Sequence, residues 1–314
     1  MHMKELKADY KAGIIGKEEY VREMHKIHEV LFEYTELIAD TDIAKIEITS
    51  SGVIMTSGIN DIRIACDKDD LRMIPIEIIN FDSYEKKEMN MILKMIGKDA
   101  VVFDIGANIG WVSMIVARNF PDAKVSSFEP IPKTYRYLAA NVRENGIANI
   151  DAYNFGFSDE EKDLSFYYYP QGSGNASIRD LSGSAEVEKV TCRVSTLDRF
   201  TEKNDIYPDF IKCDVEGAEL FVFKGGIDTI KKSTPIVYTE MLRKWAAKFN
   251  YHPNEIIDLF ESLGYCCYYI NGECISKIAK MDENTVDTNF FFLHKDKHNS
   301  LLAKHEKIVN SGAC

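Results

Sequence analysis

Over residues 4–39 apolar side chains return every three or four positions: Tyr20, Met24, Ile27, Leu31, Tyr34 and Ile38 share one side of a helix, with charges between them. The spacing predicts one or two amphipathic helices, whose unspent apolar face is a route to a homodimer. From Ala44 to Phe81 the period falls to two. KIEITSSGVIMTSGINDIRIAC alternates β-branched with polar residues, and Ser-Gly pairs at 51–52 and 57–58 break it, which predicts a small antiparallel meander. Residues 1–84 therefore read as an extension that serves as lid, dimer arm or substrate wall.

From about Tyr84 short apolar runs alternate with helical patterns, and residues 85–314 read as one domain. EKKEMNMILKMIG predicts a helix, AVVFDIG a buried strand, 111–119 and 133–145 helices, and KVSSFEP the strand between them. Strands follow at 152–157, 164–169, 209–215 and 236–240, with helices over 218–223 and 253–263. Phe166-Tyr167-Tyr168-Tyr169 predicts a strand with aromatic cross-strand partners, and GSGNASI (172–178) a mobile loop and candidate lid. The end reads as a hairpin, YCCYYI returning as TNFFFLH across a type I′ turn at Asn271-Gly272. Such alternation predicts a Rossmann-like α/β fold, a parallel sheet covered on both faces with an antiparallel C-terminal edge.

Composition narrows the partners. The 314 residues are 45% hydrophobic and 28% charged, enough for a full core. Thirty-eight Lys and Arg against 50 Asp and Glu give a net charge of −12, which repels phosphate backbones and anionic membranes. Nucleic acid and membrane are thus not expected partners. No apolar run approaches the roughly 20 residues of a membrane span, and the start MHMKELKADYKAG reads as a polar helix rather than a signal segment. The seven cysteines (Cys66, Cys192, Cys213, Cys266, Cys267, Cys274 and Cys314) form no C-x-x-C pair, which fits a reduced, cytoplasmic protein. His25 and His28 lie one turn apart, but no acid or cysteine cluster completes a metal site around them.

In a sheet of this kind ligands bind beyond the carboxyl ends of the strands. Three strand ends carry candidate chemistry: FDIGANIG (103–110), SFEP (127–130) and IKCDVEGAE (211–219). Asp104, Gly106, Asn108 and Gly110 follow an apolar strand and precede a helix. The glycines permit a tight turn and close backbone approach, and the helix start offers free N–H groups. Asn108 stands where a dinucleotide fingerprint has its second glycine, so a pyrophosphate is disfavoured, and Asp104 suits a ligand with an ammonium or sulfonium group. Glu129 lies 19 residues beyond Gly110, the spacing at which a carboxylate accepts two ribose hydroxyls.

FDIGANIGWVS, FEP, DFIKCDVEGAELFVFKGG, IVYTE and ESLGY together resemble the FkbM family of S-adenosylmethionine-dependent methyltransferases, over about residues 84 to 294. The resemblance implies a seven-stranded methyltransferase sheet. It implies that Asp104, Gly106, Ala107, Asn108 and Gly110 line the methionine end of the cofactor, that Glu129 with Pro130 holds the ribose, and that Ser158 or Asp159 contacts the adenine. The expected cofactor is S-adenosylmethionine, leaving as S-adenosylhomocysteine.

Transfer to a hydroxyl needs an aligned acceptor and a proton acceptor. Asp214, at the end of its strand and beside the cofactor, with Glu216, Glu219 and Glu240, supplies carboxylates for acceptor hydroxyls, for the base or for a divalent cation; the metal is not expected. Glu219 is as readily a helix-start acid. His252 is a candidate base or a helix cap. Trp111 is expected to pack on the sheet, and Trp245 either to stack on a sugar ring or to fill the core. The expected reaction is O-methylation of a small-molecule or glycosidic acceptor. The alternatives are N-methylation of a small amine or peptide, a NAD-dependent oxidoreductase, or a silent nucleoside-binding module.

Overall fold

The computed structural model describes residues 3–169, 171–172, 177–178 and 187–307. The N-terminal pattern forms three short helices, α1 (Met3–Lys11), α2 (Lys17–His28) and α3 (Val30–Leu37). Gly13, at φ 72, and the extended Gly16 separate the first two, whereas Glu29 keeps right-handed helical angles between α2 and α3. Leu6 is the one residue of the three helices that is buried; Leu31, Phe32 and Leu37 stay exposed.

The meander is present as β1 (Ile43–Thr49), β2 (Gly52–Ser57) and β3 (Arg63–Cys66), paired antiparallel about β2. Its alternation ends sooner than expected. Ile74–Phe81 is a helix, α4, because Pro75 occupies the first turn, where its missing N–H costs nothing and its fixed φ suits a helix. Ile74 and Ile78, one turn apart, are then buried together. Two buried asparagines of helix α7 (Pro132–Glu144) and its C-cap complete the hydrogen bonding of β3. Asn145 Oδ1 accepts from the Arg63 N–H (2.9 Å), Asn145 Nδ2 donates to the Arg63 carbonyl (2.7 Å), and Asn141 Oδ1 accepts from the Ala65 N–H (3.1 Å).

The rest of the chain alternates as α5 (Lys86–Met95), β4 (Val101–Ile105), α6 (Trp111–Asn119), β5 (Lys124–Phe128), α7 and β6 (Ile150–Tyr153). After a small sheet come α8 (Leu197–Asn204), β10 (Phe210–Cys213), α9 (Glu219–Lys224), α10 (Ile227–Ser233), β11 (Ile236–Glu240), α11 (Arg243–Ala246) and α12 (Asn254–Ser262). The chain closes with β12 (Tyr265–Asn271), β13 (Cys274–Ile278), β14 (Asn289–His294) and α13 (Asn299–His305). The main sheet has the order β13-β12-β14-β11-β10-β4-β5-β6. The five strands from β11 to β6 are parallel, and β14 runs antiparallel between β11 and β12. Strand order reverses between β4 and β10, which fixes where a ligand crevice opens.

The main sheet has eight strands where the resemblance implies seven. The Gly272 turn closes β12 on β13 rather than on TNFFFLH, since Asn271 pairs with Cys274. Its central residues are Gly272 and Glu273, and only Gly272 has positive φ (65°), the pattern of a type II′ turn and not I′. The sheet is buried on both faces, so its strands are mostly apolar, with Ser126, Ser127 and Lys212 among the buried polar exceptions. In β14, Phe290 and Phe292 join Phe103, Ile105 and Ile211 on one face, while Phe291 and Leu293 join Val102, Phe210 and Ile236 on the other. The second of these cores also takes in Ile43, Met55 and Ile64 of the meander.

A third sheet, β7-β9-β8, combines β7 (Gly156–Phe157), β8 (Lys162–Tyr168) and β9 (Glu188–Ser195). The aromatic run of β8 faces Val190, Lys189 and Glu188, not aromatic partners; Lys189 Nζ lies over the Tyr167 ring at 5.1 Å. Residues 173–176 and 179–186, which hold most of the expected lid, lie outside the described residues. Among the described residues no helix is long and apolar enough to cross a membrane.

Candidate active site

Beyond the carboxyl ends of β4, β5, β10 and β11 lies a cavity of about 430 Å³. The β4 turn gives it Gly106, Ala107 and Asn108; β5 gives Glu129 and Pro130; β10 gives Lys212, Asp214 and Glu216. Glu240, Leu242, Lys244 and Trp245 close one side after β11. Arg72, Glu77, Tyr84 and Glu85 come to it from the N-terminal segment and the start of α5.

The β4 turn is shaped by left-handed backbone at Gly106 (φ 76), Asn108 (φ 50) and Gly110 (φ 89). A Cβ on Gly106 would stand 1.9 Å from the Asp214 carbonyl oxygen, so the β4 and β10 loops meet backbone to backbone. Glu129 is 6% exposed, and each of its oxygens is held once: Oε2 accepts from the Asn108 N–H (3.0 Å) and Oε1 from the Ile131 N–H (2.8 Å). A carboxylate oxygen has a second lone pair, so both remain acceptors toward the cavity. Burial pushes this carboxyl up to about 7 against the two N–H groups and Lys212, which favour its charged form.

At the end of β10, Lys212 is buried. Its Nζ donates to the Gly106 carbonyl (2.7 Å) and lies 3.4 Å from Asp104 Oδ1 and 3.6 Å from Asp214 Oδ2. Burial alone would depress the ammonium; Asp104, Asp214 and Glu85 outweigh it and hold the group above its ordinary range. Glu219 braces the loop between, accepting from the Val215 (3.1 Å) and Gly217 (3.0 Å) N–H groups, with the Tyr251 hydroxyl 3.2 Å away. Burial lifts Glu240 to about 9, with Asp214, Glu219 and Glu85 adding to the shift. Burial likewise raises Glu216 well above the usual range, with help from Asp214 and Glu240. Glu216 holds a left-handed φ of 56°, and Glu85 one of 42°; with Asn108, three strained non-glycine residues meet at one cavity.

Residues 104–267, more than half of the chain, match the family model described as the methyltransferase FkbM domain. The chain belongs to the FkbM methyltransferase family. Among curated relatives, Methyltransferase 1 of Beauveria bassiana is 24% identical over 145 residues, 40% of this chain and 58% of that one. Hexuronic acid methyltransferase AglP of Haloferax volcanii is 29% identical over 142 residues, 45% and 56% of the two chains. The 2-O-methyltransferase NoeI of Sinorhizobium fredii is 30% identical over 159 residues, 45% and 63%. The match thus spans little more than half the length of these relatives. A solved FkbM methyltransferase from Methylobacillus flagellatus aligns at 15% identity and a TM-score of 0.41, covering 72% of this chain and 55% of that one.

In this FkbM chain Gly106, Ala107, Asn108, Glu129, Pro130, Asp214, Glu216 and Glu240 line the cavity together. Asp104 does not. It is 1% exposed, and its oxygens face the Ser113 hydroxyl (2.6 Å) and Lys212, which turn it inward. Gly110 does not line the cavity either; a Cβ there would meet Leu138 Cδ1 at 2.5 Å, so it serves helix packing. Ser158 and Asp159 are also off the cavity. The Ser158 carbonyl lies against Gly225, its hydroxyl donates to Asp159 (3.0 Å), and Gly156 lines the wall instead. His252 is exposed and caps α12, its Nδ1 accepting from the Asn254 N–H (3.1 Å).

Trp245 is half-buried on the cavity wall with Lys244 Nζ 5.3 Å from its ring, and Trp111, buried in the core, lines the cavity as well. Among the described residues no group of three or more His, Cys, Asp and Glu is arranged to hold a metal ion. Sequence reasoning passes over Lys212, Arg72, Tyr84 and Glu85. A lysine in the middle of the buried strand FIKC is a legible signal, because an ammonium there demands paired carboxylates. Glu85 carries no such mark.

Proposed function

We propose that this chain transfers a methyl group from S-adenosylmethionine to a hydroxyl of a small or glycosidic acceptor. The observation that carries the reading is Glu129: a buried carboxylate, fixed by two backbone N–H groups, whose remaining lone pairs suit a vicinal diol. The fit extends around the cavity. Asn108 Oδ1, Trp111 Nε1, Asp214 Oδ1 and Glu216 Oε2 are buried polar atoms without a hydrogen-bond partner on its lining, and such atoms call for ligand groups to satisfy them. When bound, the sulfonium supplies a methyl carbon whose leaving group is a neutral thioether.

The chain's own work is then alignment and proton removal. Asp214, Glu216 and Glu240 face the cavity from adjacent strand ends and hold acceptor hydroxyls. Glu240, lifted to about 9, is a stronger base once ionised than an ordinary carboxylate, and it takes the hydroxyl proton as the oxygen–carbon bond forms. Trp245 stacks on the acceptor ring, and Arg72, Tyr84 and Glu85 make the N-terminal segment the acceptor's wall. The names of the hexuronic acid and 2-O-methyltransferase relatives support a sugar oxygen.

One observation favours a second reading, a small amine acceptor. The acids on the lining (Glu77, Glu85, Glu129, Asp214, Glu216 and Glu240) outnumber the cations (Arg72, Lys212 and Lys244). Calorimetry with S-adenosylmethionine tests the common part. Glu129→Ala should weaken binding by about tenfold or more, the worth of charge-assisted hydrogen bonds to a diol, with circular dichroism unchanged; NADH should not bind. Wild-type affinity in that variant overturns the assignment. Product profiling against sugar and amine panels separates the two acceptors.

A further inference from the structure

Helix α3 does not match its surroundings. Its eight residues, VLFEYTEL, are apolar at Val30, Leu31, Phe32, Tyr34 and Leu37, yet none of these is buried and Phe32 is 68% exposed. At about 100° per residue the five side chains span more than half of the circumference. A helix so widely apolar ordinarily lies inside a core. The deficit extends to its neighbours. Helix α2 buries no residue, and nine of the thirteen large apolar side chains exposed among the described residues fall between Met3 and Leu37. Concentrated exposure of this kind marks an interaction surface. The three helices do not close over the cavity, since no residue of α1, α2 or α3 lines it. They are ordered by their own contacts, the Tyr10 and Tyr20 rings stacking 4.6 Å apart, and α3 is followed by Ile38, which packs on the core that takes in the meander.

Charge selects what covers this face. Residues 3–37 hold six Lys and Arg against eight Asp and Glu, a net −2 out of the chain's −12. An arm without excess cation has nothing to hold it on an anionic bilayer. Two copies of so acidic a chain repel over most of their surface, and a nearly neutral arm lets them meet. The complement that α3 needs is on the same arm. Helix α3 carries Glu33 and Glu36 and no base, whereas the last turn of α2 carries His25, Lys26 and His28. Beside that turn Val21 is exposed and Met24 and Ile27 are half-buried. Lys26 lies 2.9 Å from Glu23, an exposed pair of the weak kind that a second copy displaces. The helices hold nine, twelve and eight residues, against the ~20–30 that a specific interface takes from each partner. We propose that the chain forms a two-fold dimer through this arm. Helix α3 of one copy packs on α2 of the other, with Glu33 and Glu36 facing the basic last turn of α2, and the symmetry axis repeats the contact. The proposal is independent of the methyl-donor reading.

Light scattering on the full chain over a range of concentrations reads the mass, and twice 35.8 kDa is expected. Phe32→Glu, at an exposed position outside the cavity, should leave circular dichroism unchanged and raise the dimer Kd at least ~tenfold, as loss of an interface anchor does. Lys26→Glu and Glu33→Lys should each raise it about threefold. The double variant should recover most of that loss, because the two side chains meet again with their signs exchanged. A wild-type monomer, a dimer indifferent to Phe32→Glu, or charge effects that simply add would each overturn the proposal. A monomer that floats with phosphatidylcholine–phosphatidylglycerol vesicles gives the face to a membrane and overturns it as well. Should Phe32→Glu not fold, the unaltered protein provides a second measurement. Mixed unlabelled and heavy-isotope chains, treated with a carbodiimide, should yield cross-links between the two isotopic forms that join Lys26 to Glu33 or Glu36. Links confined to one isotopic form overturn the proposal equally.

Discussion

Lys212 stands between Asp104 at 3.4 Å and Asp214 at 3.6 Å with its side chain only 8% exposed. Removing one member of a buried charged set leaves the others uncompensated. Lys212→Met should therefore cost about 3–5 kcal/mol in urea unfolding. Adding Asp104→Asn should restore part of that loss, since it removes one of the stranded charges; strictly additive losses would show that the pair does not interact. The remaining acids set a pH dependence. Glu129 and Glu219 are raised to about 7 and Glu240 to about 9, from an ordinary 4.5. Their folded-state pKa values lie above the unfolded ones, so their stabilising contribution is complete below about pH 4.5 and is lost as pH rises through 7 and then 9. A bound cation offsets the charges that then appear. From pH 6 to 9 the Kd of S-adenosylmethionine should improve about tenfold relative to that of the uncharged thioether S-adenosylhomocysteine, which corresponds to ~1.4 kcal/mol. A ratio flat across that range would place the cation away from these acids.

At the scale of elements, the main sheet was legible because strands buried on both faces are mostly apolar runs, as AVVFDIG is, and because such runs alternate with helical patterns. Motif spacing likewise identified the loops at the strand ends. It did not say which way a side chain in those loops points. Asp104 turns inward because a lysine on the neighbouring strand β10, with five strands between the two in the chain, meets it, and only the β4–β10 pairing reveals that neighbour. Short elements fared worse: Pro75 turned an alternating segment into α4, and β9 was passed over although Val190, Cys192 and Val194 alternate with Lys189, Thr191 and Arg193. Glycines make the element scale testable. Gly106→Ala places a Cβ against the Asp214 carbonyl in a left-handed backbone and should cost at least ~2 kcal/mol and abolish ligand binding. Gly272→Ala, at φ 65 in the β12–β13 turn, meets open space, so it should cost only the ~1–2 kcal/mol of the left-handed conformation and leave ligand affinity alone. Equal effects on binding from the two substitutions would mean that the β4–β10 backbone contact does not shape the cavity.

Across the whole molecule, the two sides of the cavity have different anchors. The side proposed for the methyl donor, Gly106 to Asn108, Glu129 and Asp214, is built on the main sheet; Arg72 and Glu77, paired at 3.0 Å, follow the meander. That meander is tied to α7 by Asn141 and Asn145 and by Arg63, whose guanidinium reaches both Glu144 (2.9 Å) and Glu47 (2.6 Å). The exposed part of this network contributes little, as surface ion pairs do. The asparagines matter more, because they satisfy main-chain groups of β3 that no strand pairs. Asn145→Ala leaves the Arg63 N–H and carbonyl without those partners and should cost about 1–3 kcal/mol. Hydrogen exchange should accelerate over 43–84 while the amides of β4, β5 and β10 keep their protection, and the Kd of S-adenosylhomocysteine should change less than about twofold, since no donor-side residue has moved. Faster exchange spread evenly over the main sheet would show instead that the meander and the sheet open as one unit, and that the proposed acceptor wall cannot be loosened without disturbing the proposed donor site.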